Sequence, residues 1–356
     1  MAPRIIVFPF GNNPYQALLY QAILDLHPDV RVRYLRSSIR VLVFFPWVLL
    51  WMRLRGYKLM HLHWPNLGLS YDSSLPFAKQ LSLHLSLYNM WWLRCLRIRI
   101  VWTVHNVLPH EQLTANDKRV AFCLARSADA KIVHSRETID EMTIQGLSVK
   151  NCTVIPIGNY IGVYPNTTSR EDARIGLRIE KEFVVLFFGA VRPYKGVDEL
   201  LDAWAEIDRT ERLLIIAGEI AHEAMRRRIL ESRDLGVRLY DGYQSDSDVE
   251  RLFKACDVVC LPFRRITTSA SALLALSFGK PIVAPRIGAL VDLPDDVGYF
   301  YKATQEGALK ESLGRAMRNT DDVQAHGVMA KKYARTLSWK TIGENTYGVY
   351  QKVLND

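Results

Sequence analysis

Ile5-Ile6-Val7-Phe8 is an unbroken apolar run of strand length, closed by the breaker Gly11-Asn12-Asn13-Pro14. Similar runs recur at Leu59–Trp64, Arg99–Val104, Ala130–His134 and Cys152–Pro156, and the first is followed by a helical stretch near Tyr15–Leu26. Continuous apolar strands spaced by helices predict a parallel sheet covered on both faces. The pattern then restarts. Glu182–Phe188, Leu213–Ala217, Val237–Tyr240, Val258–Leu261 and Pro281–Ala284 read as strands, and Val197–Ile207 and Ser269–Phe278 as helices. Gly162, Pro165, Asn166 and Thr167-Thr168-Ser169 mark the join. The expected architecture is α/β, with two Rossmann-like doubly wound domains at residues 1–165 and 166–338. Residues 339–356 form a C-terminal helix, with Tyr347 and Tyr350 on one face, expected to pack back toward the first domain. Two such domains create a cleft between facing sheet ends, where ligands bind.

Charge changes this picture. The first 110 residues hold 12 Lys+Arg against Asp25, Asp29 and Asp72, a net +9 that equals the formal charge of the whole 356-residue chain. The same stretch carries Trp47, Trp51, Trp64, Trp91, Trp92 and Trp102. Arg36, Arg40, Arg53 and Arg55 flank the apolar segment Val41–Met52. Trp91 and Trp92 precede Arg94 and Arg97. Cations beside tryptophans suit an anionic membrane interface. No recognition-helix, RNP or OB-type pattern occurs, so nucleic acid is not an expected partner. No apolar run is long enough for a transmembrane helix, and the N-terminal run is too short for a cleaved leader. Cys95, Cys123, Cys152, Cys256 and Cys260 are odd in number and carry no paired zinc spacing. A reducing cytoplasm fits them.

Two segments carry candidate chemistry. In Phe187-Phe188-Gly189-Ala190-Val191-Arg192-Pro193-Tyr194-Lys195-Gly196 a buried strand ends at a glycine, and a cationic loop leads into a helix. Gly189 and Gly196 permit close backbone approach, and Arg192 and Lys195 stand where a diphosphate would sit beside a helix N-terminus. In Thr267-Thr268-Ser269-Ala270-Ser271 a hydroxyl-rich first turn opens a helix stopped by Gly279 and Pro281. Its side chains either cap that helix or bind a phosphate.

Together with Ala217-Gly218, Ala255-Cys256-Asp257-Val258 and Gly279-Lys280-Pro281-Ile282-Val283-Ala284, these segments resemble the donor domain of GT-B glycosyltransferases near family 4. His61-Leu62-His63-Trp64-Pro65 and Val101–Asn106 extend the resemblance into the first domain. The paired glutamates usual in family 4, seven residues apart, are replaced by Ile266 and Leu274. The serine-rich run instead resembles bacterial exopolysaccharide β-mannosyltransferases, although Ala270 stands where those carry glycine.

The resemblance implies a nucleotide-sugar donor held by Gly11, Arg192, Lys195, Gly196, Gly218, Tyr243, Thr268, Ser269 and Ser271. Tyr243 either stacks on the base or covers the sheet end. It also implies inverting transfer of mannose from GDP-mannose to a lipid-linked glycan, by an enzyme peripheral on the cytoplasmic membrane face. No Asp-x-Asp pair is present, so neither a metal nor another cofactor is expected. Inversion needs a base. The candidates are His105, which the resemblance places beside the donor sugar, and the loop carboxylates Asp72 and Glu111; His63 also stands at a strand end. Two other readings stay open: a retaining family 4 enzyme using UDP-glucose or another donor, and an inactive sugar-nucleotide-binding module.

Overall fold

The computed structural model describes residues 2–11, 14–37, 43–65, 67, 76–108, 115–180, 182–207 and 211–356. Arg40, Asp72 and Glu111 lie outside the described residues. The chain divides into one unit of Met1–Gly158 with Trp339–Asp356 and a second of Asn159–Ser338.

The first unit is built on six parallel strands: β1 (Arg4–Phe8), β2 (Arg31–Tyr34), β3 (Leu59–Leu62), β4 (Arg99–Val104), β5 (Ala130–Val133) and β6 (Cys152–Val154). Their order is β2-β1-β3-β4-β5-β6. Its helices are α1 (Pro14–Leu26), α2 (Phe45–Leu54), α3 (Pro76–Cys95), α4 (Ala115–Ser127), α5 (Arg136–Ile144) and, from the chain's end, α13 (Trp339–Asn355). Phe8 pairs with Leu62, Leu62 with Trp102 and Val104 with Val133, so several strands finish at one edge. β2 was not foreseen. It is an edge strand whose Arg31 and Arg33 point outward, so its sequence lacks an apolar run. α13 packs on α1, and a Cβ on Gly343 would lie 3.1 Å from that of Ala22.

The second unit has β7 (Phe183–Phe188), β8 (Arg212–Gly218), β9 (Val237–Asp241), β10 (Val258–Cys260), β11 (Ile282–Pro285) and β12 (Gly298–Tyr301), all parallel in the order β12-β11-β10-β7-β8-β9. Its helices are α6 (Arg170–Gly176), α7 (Val197–Ala205), α8 (Glu223–Glu231), α9 (Asp246–Ala255), α10 (Ala270–Ser277), α11 (Ala308–Arg318) and α12 (Thr320–Thr336). The division between units falls before the expected 165/166 join. The backbone N–H of Tyr160 donates to Ser277 Oγ at 2.8 Å, and the Asn159 amide donates to the Ala334 carbonyl at 2.9 Å. The turn residues that marked the join therefore lie inside the second unit.

Strand order reverses between β7 and β10 in the second sheet, and between β1 and β3 in the first. In doubly wound sheets the crevice at such a reversal, outside the carboxyl ends of the strands, is where ligands bind. The loops after β7 and β10, and those after β1 and β3, are thus the places to examine.

Candidate active site

In the second unit the loop after β7 closes tightly on the loop after β10. Gly196 has φ +69°, and a Cβ there would fall 2.0 Å from the Pro262 carbonyl oxygen. Gly218, at φ +145°, would bring a Cβ within 2.2 Å of the Gly189 carbonyl oxygen. Only glycine meets both demands, of angle and of space. The Arg264 N–H donates to the Tyr194 carbonyl at 2.8 Å, which joins the two loops directly.

Above Gly189, at φ +131°, two polar groups converge. A Cβ on Gly189 would lie 2.8 Å from Lys195 Nζ and 3.4 Å from Ser271 Oγ. The Lys195 ammonium is pushed down to about 8, chiefly by desolvation and then by the neighbouring Arg192 cation. A half-buried ammonium beside a second cation lowers its own energy by meeting an anion. Arg264 and Arg265 follow in sequence, but Arg264 is already paired with Asp198 at 2.7 Å and Glu199 at 3.4 Å.

The two serines separate. Ser269 is buried, and its Oγ accepts the Ala272 N–H at 3.0 Å as the N-cap of α10. Ser271 faces Gly189 and Lys195, and Thr268 is half-buried at the helix entrance. Leu274, in place of the usual carboxylate, is buried in the core. Tyr243, after β9, is 93% exposed, so it does not cover the sheet end.

In the first unit Gly11 ends the turn after β1. Its N–H donates to Gln16 Oε1 at 2.9 Å, and the Gln16 amide returns a bond to the Pro9 carbonyl at 2.9 Å. The same unit holds a cluster whose members are far apart in sequence. His61, His63, His105 and His134 stand at the ends of β3, β4 and β5, among Tyr15, Tyr20, Tyr350 and Trp339. His63 Nδ1 is 3.2 Å from His105 Nε2, and His105 Nδ1 is 3.3 Å from His134 Nε2. Both ring nitrogens of His105 are therefore engaged, which leaves it ill suited to take a proton from a substrate. Burial holds His61 down to about 3 and His134 down to about 4, and drives His63 and His105 well below the usual imidazole range. No set of three such side chains among the described residues converges on a metal position.

Trp64 stacks on His105 at 5.1 Å, and both line a cavity of about 290 Å³ with Pro65, Trp102, Leu108 and Asp117. Asp117 is 3% exposed. A lone acid in the first turn of a basic helix gave no sequence signal of that burial.

The basic, aromatic front is helical as expected. Phe44, Trp47, Trp51 and Leu54 are exposed at helical spacing along α2, Trp47 at 70%. Leu81, Tyr88 and Trp91 form a like stripe on α3. Arg55 lies 3.7 Å over the Trp51 ring, and Arg36, Arg94 and Arg97 are exposed. Two expected surface groups are tied inward. Arg53 Nε donates to the Leu96 carbonyl at 2.9 Å, and Trp92 is half-buried edge-on to Trp91. No helix among the described residues is long and apolar enough to cross a membrane.

Residues 169–335 match the profile of the family described as Glycosyl transferases group 1. Over 368 aligned positions the chain is 27% identical to the GDP-mannose:glycolipid 4-beta-D-mannosyltransferase of Xanthomonas campestris pv. campestris, covering 99% of this chain and 94% of that one. Two solved structures share the fold at 18% identity over the whole of both chains. They are the sucrose-phosphate synthase of Thermosynechococcus elongatus, with TM-score 0.76, and the Anabaena protein HepE in complex with UDP-glucose, with TM-score 0.74.

Proposed function

We propose that the chain is a GT-B glycosyltransferase that transfers mannose from GDP-mannose, with inversion, to a lipid-linked glycan at the cytoplasmic face of the membrane. The observation that carries the donor half is the convergence of Lys195 Nζ and Ser271 Oγ over Gly189, at the point where strand order reverses. The similarity to a mannosyltransferase along 99% of the chain supports the sugar and the acceptor class.

Cleavage of the sugar–phosphate bond leaves positive charge on the anomeric carbon and negative charge on the departing diphosphate. Lys195 and Arg192 neutralise the diphosphate, with Ser271, Thr268 and the Ser269-capped start of α10 as hydrogen-bond donors. These cations do the work a metal does elsewhere, so we propose transfer without one. Gly11, Gly196 and Gly218 allow close backbone approach, and Tyr243 is an exposed ring for the nucleobase. The base that deprotonates the acceptor hydroxyl is Asp72 or Glu111, because His105 has both nitrogens occupied.

The acceptor's lipid stays in the bilayer, and the enzyme must reach it there. Phe44, Trp47, Trp51 and Leu54, with Arg55 and Arg36, form the surface that rests on anionic headgroups. Turnover with a panel of sugar nucleotides tests the donor. GDP-mannose is the expected choice, and consumption of no donor overturns the reading. Flotation with anionic liposomes tests the surface. The wild type floats and Trp47→Ala/Trp51→Ala does not; failure of the wild type to float removes the membrane claim.

A further inference from the structure

The row of imidazoles in the first unit borders the cavity of about 290 Å³ that the loops after β3 and β4 form with the first turns of α4. Trp64 gives it an aromatic wall, and His105, stacked on that indole at 5.1 Å, sets the plane of the ring. Asn106 and Asp117 bring an amide and a carboxylate, and Leu108 adds apolar lining. His63 and His105 also line it, and burial keeps both rings neutral near pH 7.

The charge of this lining runs against that of its surroundings. The first 110 residues carry the chain's whole positive excess, yet among the described residues no Lys or Arg lines the cavity. Its one charged group is Asp117, 3% exposed. A buried carboxylate repels an anion and needs hydrogen-bond donors. A lipid chain offers no donor, and a phosphate or a uronic acid brings the wrong charge. An uncharged sugar meets both demands. Its hydroxyls donate to Asp117 and exchange hydrogen bonds with the Asn106 amide, while its C–H groups pack on an indole. At about 290 Å³ the cavity stands at the lower end of ligand-pocket sizes, which suits one pyranose ring and not a nucleotide.

We propose that this cavity is a subsite for one uncharged hexose of the acceptor glycan, with the ring against Trp64 and the hydroxyls on Asn106 and Asp117, and that it rejects sugars bearing a carboxylate or a phosphate. That the sugar belongs to an acceptor rests on the glycosyltransferase reading above, but its binding is measured without donor or turnover. Wild-type protein with ¹⁵N-labelled tryptophans is titrated with methyl β-glucopyranoside, methyl β-mannopyranoside and methyl β-glucuronide. The Trp64 indole N–H signal, assigned by its loss in Trp64→Phe, is the readout. At least one neutral glycoside is expected to shift it, with saturation at roughly millimolar concentration. The glucuronide is expected to bind about tenfold more weakly. No shift with either neutral glycoside, or equal affinity for the glucuronide, overturns the subsite, as does a shift produced by hexanol and by neither glycoside. Asp117→Asn removes the charge, so the preference over the glucuronide should fall to about twofold; an unchanged preference overturns the role of Asp117. If that variant does not fold, the wild-type comparison still decides. GDP-mannose consumption by the same protein is read separately. Consumption without glycoside binding removes the subsite alone, and glycoside binding without consumption removes the transfer reading alone.

Discussion

Acid should unfold the first unit through its four clustered imidazoles, of which His61, His63 and His134 are buried and His105 half-buried. A histidine in an unfolded chain titrates near 6.5, whereas burial holds His61 down to about 3 and His134 down to about 4. Below about pH 6.5 the unfolded chain therefore binds more protons than the folded one, and stability falls as pH falls. Above that pH both states are neutral at these rings and their full contribution is present. The loss is complete only below the folded values. At about 1.4 kcal/mol per pH unit, His61 and His134 each withdraw about 2 kcal/mol by pH 5 and about 3 kcal/mol by pH 4. His63 and His105 act in the same direction. The groups acting on the rings are the other histidines and the Ile155 carbonyl, with Tyr15, Tyr20 and Tyr350 packed around them, and no carboxylate is among those causes. A loss of about 4 kcal/mol by pH 5 from two rings alone is a large part of a domain's stability. Urea unfolding followed by tryptophan emission is the assay, since of the eight tryptophans only Trp204 lies in the second unit. The urea midpoint should drop steeply between about pH 7 and about pH 5. A midpoint constant over that range would refute the assignment of these rings as neutral in the folded unit.

Three further outcomes follow from the site. Gly196→Ala puts a Cβ 2.0 Å from the Pro262 carbonyl at a positive φ, so the two loops must part; calorimetric GDP binding should be lost and the second unit destabilised by roughly 3 kcal/mol or more, and wild-type affinity would contradict this packing. Lys195 loses its proton near pH 8 in the unliganded enzyme, so GDP affinity should fall as pH rises through that value, while Lys195→Arg keeps its charge and flattens the profile; parallel profiles would show that Lys195 does not meet the diphosphate. Of Asp72→Asn and Glu111→Gln, one should lose about a hundredfold or more in kcat with GDP binding intact; near-normal turnover by both would place the base elsewhere, with Asp117 next to be examined.

The strands were legible because a parallel strand buried on both faces is a continuous apolar run, as Ile5–Phe8 and Phe183–Phe188 are. β2 and β12 were not: both are edge strands, and neither Arg31–Tyr34 nor Gly298–Tyr301 carries an unbroken aliphatic run. The glycines of the donor loop were legible for a steric reason that holds locally. Gly196 is demanded by the nearby Pro262 carbonyl, and glycine followed by a helix start is visible in one dimension. Ser269 and Ser271 looked equivalent until helix geometry gave the first to the cap and turned the second toward Lys195. Of the histidine row, His63 and His105 were legible as strand-end residues, but the assembly of the row was not. Its members come from β3, β4, β5, α1 and α13, with directly bonded partners separated by up to 289 positions, and only the register of the sheet and the return of the last helix bring them together. Arg53 shows the converse: a cation beside an exposed stripe reads as surface, yet its guanidinium closes on the end of α3.

The most direct test is to incubate the enzyme with GDP-mannose labelled at the anomeric carbon and a lipid-diphosphate-linked glycan in anionic liposomes, and to assign the anomer of the product by NMR. A β-mannosyl product on the lipid-linked glycan is predicted. An α-linked product, or transfer from a different nucleotide sugar in preference to GDP-mannose, would contradict the account.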